Sequence, residues 1–118
     1  MIEKLGIGID IADVDQFKKI SYSIKPSFYK KIFLPSEIKY CLKYKNPYEH
    51  FAGKFALKEA VKKAINKHIS MLDIETSHSN SKPVVKLRGK WKTKYKFLAS
   101  ISHEKKFATG IIVSEKLE

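Results

Sequence analysis

The chain has 118 residues and carries 24 Lys+Arg against 12 Asp+Glu, a formal net charge of +12. That length suits one domain, taken as residues 1–118, and a 43% hydrophobic content excludes wholesale disorder. Arg88 is the only arginine, so the basic surplus is lysine, a mobile point charge without the planar fork that reads base edges. The partner expected is anionic: a phosphate compound, an acidic protein or a nucleic-acid backbone.

Leu5, Ile7, Ile9 and Ile11 alternate with Gly6, Gly8, Asp10 and Ala12, which predicts a half-buried strand. Glycines weaken a strand, so Gly6 and Gly8 imply close approach of another backbone or a ligand. Asp10, Asp13 and Asp15 are three of the four aspartates, and a short helix is expected to start near Asp15 and carry Phe17 and Ile20. From Ser21 to Lys45 six lysines face Glu37 alone, interleaved with Tyr22, Phe28, Tyr29, Phe33, Tyr40 and Tyr44. Pro35-Ser36-Glu37 reads as a helix start carrying Ile38, Cys41 and Leu42. Cys41 is the only cysteine, which excludes an intrachain disulfide.

Asn46-Pro47-Tyr48-Glu49 combines a capping Asn, Pro at the first helical position and Glu at the third. The helix it opens runs to between Asn66 and His68, with Phe51, Phe55, Val61, Ala64 and Ile65 as its core stripe. Beyond it, Met71 to Glu75 alternates as a strand, and Asn80-Ser81-Lys82-Pro83 turns into Val84 to Leu87. Phe97 to His103 and Phe107 to Val113 read as an antiparallel pair. The fold class is α+β, one long helix packed on an antiparallel sheet. The amino terminus has no secretory pattern and no run nears the roughly 20 apolar residues of a membrane span, so a soluble, cytoplasmic protein is expected.

Three groups of residues are suited to chemistry. Asp10 beside glycines is either a strand-end Asp satisfied by backbone amides or a half-site for a hard cation such as Mg²⁺, which takes one or two protein carboxylates plus phosphate oxygens. Glu59 and Lys63 share a face of the long helix; they make either an ordinary ion pair or a metal ligand and a phosphate contact, and Lys58 and Lys62 also share a face. Ser102 and His103 are adjacent on a strand and point to opposite faces, so they are poorly placed to pair as nucleophile and base, and His103 is read as a phosphate contact or a satisfied turn residue. No histidine has metal-ligand spacing with the cysteine, and Gly6 and Gly8 lack the third glycine of a dinucleotide cradle.

The order Gly6-Ile7-Gly8-Ile9-Asp10, then Phe51-Ala52-Gly53-Lys54-Phe55-Ala56-Leu57-Lys58-Glu59-Ala60, then Ser100-Ile101-Ser102-His103 resembles the holo-[acyl-carrier-protein] synthases, small 4′-phosphopantetheinyl transferases. The resemblance implies transfer of phosphopantetheine from coenzyme A to a serine of apo-acyl carrier protein, leaving adenosine 3′,5′-bisphosphate. It implies that Asp10 and Glu59 bind Mg²⁺ and that Lys63 neutralises or protonates the departing phosphate. For the base it offers Glu37 or a metal-bound water. It places Lys54, Lys58, Lys63, Pro83 and His103 at the coenzyme. It further implies a homotrimer with interfacial active sites and a docking surface for the acidic carrier protein among Lys18 to Lys31, with no nucleic acid and no membrane as partner. The chain departs from the family in three places: Ile65-Asn66-Lys67-His68 replaces a glycine-rich turn, Lys54 stands where Arg is usual, and Leu98 where His is frequent. Two competing readings are a basic module that binds single-stranded nucleic acid through its lysines and aromatics, and an inactive member of the same fold.

Overall fold

Strand β1 (Leu5–Asp13) pairs antiparallel with β5 (Phe107–Lys116), whose other edge pairs with β4 (Tyr95–His103). This is seen in the computed structural model, which describes residues 2–117. A second sheet is the hairpin β2 (Ile74–Ser79) and β3 (Lys82–Leu87), with β3 lying beside β4. Four helices fill the first half: α1 (Val14–Lys19), α2 (Pro26–Lys30), α3 (Pro35–Leu42) and α4 (Pro47–Ile65). The α+β class and the long helix on an antiparallel sheet are as expected.

The glycines of β1 fix how α4 lies. A Cβ on Gly6 would collide with the Ala64 carbonyl and one on Gly8 with the Ala60 carbonyl. On β5, a Cβ on Gly110 would come within 2.7 Å of the Leu57 amide. Bare backbone on one sheet face therefore lets the helix backbone sit directly on the strands. Asp10 shares this face, opposite Gly110 in register.

The consequence for the isoleucines is an inversion of the usual alternation. Ile7, Ile9 and Ile11 lie on the opposite face of the sheet, 69%, 57% and 63% exposed, and Leu98 on the same face is 73% exposed. The apolar half of β1 is therefore bare in one copy of the chain.

Two core clusters hold the rest. The first is aromatic: Phe17, Tyr29, Phe33 and Phe51 pack around Cys41, and the Tyr29 hydroxyl donates to the Phe17 carbonyl at 2.8 Å. The second is aliphatic and joins Leu57, Val61 and Ile65 of α4 to Ile74, Val85, Leu87 and Ile112. Tyr29 and Phe33, two of the aromatics interleaved with lysines, are fully buried ring-on-ring partners rather than platforms for bases. Two of the six aromatics that a nucleic-acid module would use are thus closed to stacking on bases. Burial pushes the Cys41 thiol up to about 12, so it is a packed, inert group. Among the described residues no helix is long and apolar enough to cross a membrane.

Several local details differ from the sequence reading. Residues Met71–Asp73 form a 3₁₀ turn, capped by the Ser70 hydroxyl, so β2 starts only at Ile74. Lys82 and Pro83 belong to β3, and the turn is Asn80-Ser81 alone, both at positive φ, as a tight two-residue hairpin requires. Helix α1 starts at Val14, next to Asp15 as expected, and Asp13 caps it, accepting from the Asp15 amide. Asn46 makes no backbone cap on α4; its side-chain amide instead donates to Glu49 at 3.2 Å. At the other end Asn66 takes the left-handed conformation, and its N–H bonds to the Lys62 carbonyl. Asn tolerates that conformation best after Gly, so a helix stop exists without a glycine-rich turn.

Candidate active site

At the C-terminal half of α4, the Lys63 ammonium reaches across to β1. It donates to Asp10 Oδ1 at 3.0 Å and to the Ile9 carbonyl at 2.9 Å. Glu59, one turn earlier, pairs with Lys62 at 3.6 Å rather than with Lys63. The simple i,i+4 helix ion pair between Glu59 and Lys63 is thus not what α4 carries. Lys63 is instead the link between helix and strand, and the carboxylates of Asp10 and Glu59 stand on the two elements it joins.

The N-terminal half of α4 borders a cleft of about 410 Å³ lined by Tyr40, His50, Lys54, His78, Pro83 and His103, among others. Lys54, Pro83 and His103 thereby line one cleft, on α4, β3 and β4. His103 Nδ1 lies 2.9 Å from Glu49 Oε1. His103 and Ser102 occupy opposite faces, since Ser102 pairs with Thr109 on the bare side of the sheet and His103 pairs with Ala108 on the helix side.

Sequence reasoning overlooked the aromatic and imidazole walls of this cleft. The Tyr44 and His50 rings stack at 3.7 Å, those of Tyr40 and His78 at 4.7 Å, and His50 meets His103 edge-on at 5.0 Å. His50 is one helical turn from Lys54, and His78 lies on the same strand face as Thr76; those spacings are the signal that was available. Burial lowers the pKa of His50, helped by His103, and lowers that of His78, helped by Lys54 and Lys43. Both rings are therefore held neutral where free histidines begin to charge.

Glu37 and Lys58 lie elsewhere, inside the molecule. Glu37 is 1% exposed. Its Oε1 accepts from Lys58 Nζ and the Leu34 amide, and its Oε2 from the Thr76 amide and hydroxyl, all at 2.7 Å. Lys58 also donates to the carbonyls of Ile32 at 2.8 Å and Met71 at 2.9 Å, which occupies all three ammonium protons. Burial lowers the pKa of Lys58 and Glu37 opposes that shift. With its acceptors filled and water excluded, Glu37 is misplaced for a base acting on a bound serine, and Lys58 has no donor left for a phosphate. Both tie α3 and α4 to β2 rather than lining the cleft.

Lys54 and Lys63 are about 13 Å apart along α4 at the helical rise per residue. The candidate residues therefore form two groups on one helix: the cleft at one end, and the Asp10–Lys63 pair with Glu59 at the other.

Residues 6–112 match the family model of the 4′-phosphopantetheinyl transferase superfamily. A holo-[acyl-carrier-protein] synthase of Thermodesulfovibrio yellowstonii is 40% identical over 116 residues, covering 96% of this chain and 98% of that protein. The chain belongs to the holo-[acyl-carrier-protein] synthase family. Solved members share its architecture. The Bacillus anthracis synthase, in complex with CoA (3′,5′-ADP), superposes with a TM-score of 0.80 at 32% identity, covering 95% of this chain and 96% of that one. The Helicobacter pylori synthase, in complex with coenzyme A, gives 0.79 at 35% identity over 92% of this chain and 99% of that one. The family's α+β scaffold thus accounts for the fold described above.

Proposed function

We propose that this protein transfers the 4′-phosphopantetheine group of coenzyme A to a serine of an apo-acyl carrier protein, giving the holo-protein and adenosine 3′,5′-bisphosphate. The observation that carries the reading is the pairing on one helix of a cationic cleft with a lysine–carboxylate group. It gains weight from synthase relatives solved with coenzyme A or its nucleotide half.

In this reaction the serine oxygen bonds to the phosphorus that carries the pantetheine arm, and the pyrophosphate P–O bond breaks. Negative charge builds on the departing bisphosphate. Lys63 is the residue placed to neutralise it, because a fixed cation at that oxygen stabilises the transition state more than the ground state. The serine proton leaves to water at the site, with Glu37 serving as an interior strut. Lys54 and His103 hold coenzyme phosphates, and Pro83 walls the same cleft.

Asp10 and Glu59 suit Mg²⁺ by the chemistry of their donors. They are two hard carboxylates, and among the described residues no cluster of three or more His, Cys, Asp or Glu forms a complete protein cage. Mg²⁺ uses such a partial set, filling its remaining positions with water and phosphate oxygens. When bound there it supplies charge neutralisation to the pyrophosphate. In this reading Lys63 orients Asp10 through the 3.0 Å contact.

The bare isoleucine face and the separation of the two groups on α4 support packing of β1 against a neighbouring copy, with the two groups facing each other across the interface; that the assembly is a homotrimer is what the resemblance to the family implies. The lysines from Lys18 to Lys31 attract the acidic carrier protein, so association slows as salt rises. The reaction is placed in the cytoplasm, in fatty-acid synthesis.

Chromatography of the products tests the function. Adenosine 3′,5′-bisphosphate should form only when coenzyme A and apo-carrier protein are both present, and a chelator should stop it. No nucleotide product with several apo-carrier proteins would overturn the reading.

A further inference from the structure

The Thr76 side chain stands between a buried ion pair and the cleft. Its hydroxyl has a single proton, and the geometry decides where that proton points. An ionised carboxylate only accepts and an ammonium only donates, so Thr76 Oγ1 donates to Glu37 Oε2 at 2.7 Å and accepts from Lys54 Nζ at 3.0 Å. The Thr76 carbonyl accepts from the same ammonium at 3.3 Å. On another side the Lys54 ammonium lies 4.7 Å from the centre of the Tyr40 ring. Lysine has no rigid fork, so an ammonium is aimed only by the acceptors around it.

The charges along this line do not cancel. Glu37 brings one negative charge, and Lys58, which it contacts directly, brings one positive charge. Lys54 is 2% exposed and adds a second positive charge with only neutral acceptors and a ring face in contact. Burial lowers its pKa, while Cys41 and Glu37 act to raise it. A buried charge lacking a direct counter-ion is costly. An anion in the cleft would supply that counter-ion.

We propose that Thr76 is a positioning residue for coenzyme binding: by relaying the Glu37 carboxylate through its oriented hydroxyl, it aims the Lys54 ammonium at a phosphate of the coenzyme. The inference rests on the reading that the cleft holds the coenzyme. Thr76 itself touches neither coenzyme nor serine. Its effect passes through Lys54, so it acts on affinity and leaves the transferring end of the site alone.

The test is calorimetric titration of coenzyme A into the full chain, combined with steady-state kinetics. Thr76→Val keeps the shape and removes the relay; the dissociation constant should rise about tenfold, the usual weight of a hydrogen bond to a charged group. The turnover number at saturating coenzyme should stay within about twofold, because the lost contact binds ground and transition states alike. Thr76→Ser should restore affinity. Lys54→Met should weaken binding, and adding Thr76→Val to it should cost nothing more, since the relay then has nothing to aim. Equal additional loss in the double variant, or unchanged affinity in Thr76→Val, would overturn the proposal. Full coenzyme affinity in Lys54→Met would instead overturn the placement of the coenzyme in the cleft. Should Thr76→Val not fold, Thr76→Ala read against Thr76→Ser in the same cycle decides the question.

Discussion

Lys63 Nζ lies 3.0 Å from Asp10 Oδ1, a contact between residues 53 positions apart that joins helix α4 to the glycine-bearing strand. Neither glycine nor lysine alone explains it. Gly6 and Gly8 bring the helix backbone onto β1, and that approach lets a lysine from the helix reach a carboxylate on the strand.

This contact separates chemistry from stability. The Lys63 side chain is 56% exposed, so Lys63→Met should leave the unfolding midpoint nearly unchanged, as exposed ion pairs add little. Turnover should fall by about a hundredfold or more, the usual effect of deleting a charge-stabilising donor. Asp10→Asn and Glu59→Gln should likewise lose turnover while retaining the fold. Rates of product formation at saturating coenzyme, beside urea melts, check all three; near-normal turnover in either carboxylate variant would reject the metal assignment.

Glu37 and Lys58 should behave in the opposite way. Both side chains are fully buried at 2.7 Å, and removing one partner strands a charge. Glu37→Gln or Lys58→Met should destabilise by about 3–5 kcal/mol in urea unfolding. Replacing both at once with apolar residues of similar volume should recover part of that loss.

Much of the architecture is legible in the residues. The three- and four-residue steps from Phe51 to Phe55 and from Val61 to Ala64 and Ile65 mark α4, and the alternation in β1 marks a strand. Alternation does not say which face is covered, and an isoleucine face would ordinarily be the inner one. Here the glycines decide, because only bare backbone admits the helix carbonyls of Ala60 and Ala64. The interior role of Glu37 was hidden for a related reason. Its partners Lys58 and Thr76 are 21 and 39 residues away, and only packing of α3 against α4 and β2 brings them together. The imidazole walls of the cleft come from α4, β2 and β4, so no local motif gathers them.

The uncovered face of β1 gives a prediction about assembly. Ile9 is 57% exposed at the centre of an apolar row with Ile7 and Ile11. Light scattering on the purified chain should give the mass of a trimer, and Ile9→Glu should give monomers with turnover lost. A monomeric parent chain with full activity would contradict the interfacial site.

The neutral imidazoles make stability depend on pH. Burial lowers the pKa of His78 below its ordinary value of 6.5, so the unfolded chain binds its proton first as pH falls. His50 behaves alike. Both groups leave stability untouched well above pH 6.5 and reduce it progressively below that value. Urea midpoints should therefore fall between pH 7 and pH 5, and His78→Phe should flatten part of that slope. An unchanged slope would show that the folded and unfolded chains bind the His78 proton alike over this range, contrary to a pKa lowered by burial.

Intact-mass spectrometry of a carrier protein tests the transferase activity most directly. Apo-acyl carrier protein incubated with this chain, coenzyme A and Mg²⁺ should gain the mass of one phosphopantetheine group. The gain should be absent when the acceptor serine is alanine, and absent when the enzyme carries Glu59→Gln. A carrier protein that keeps its apo mass through such an incubation, with the wild-type chain folded and coenzyme bound, would contradict it.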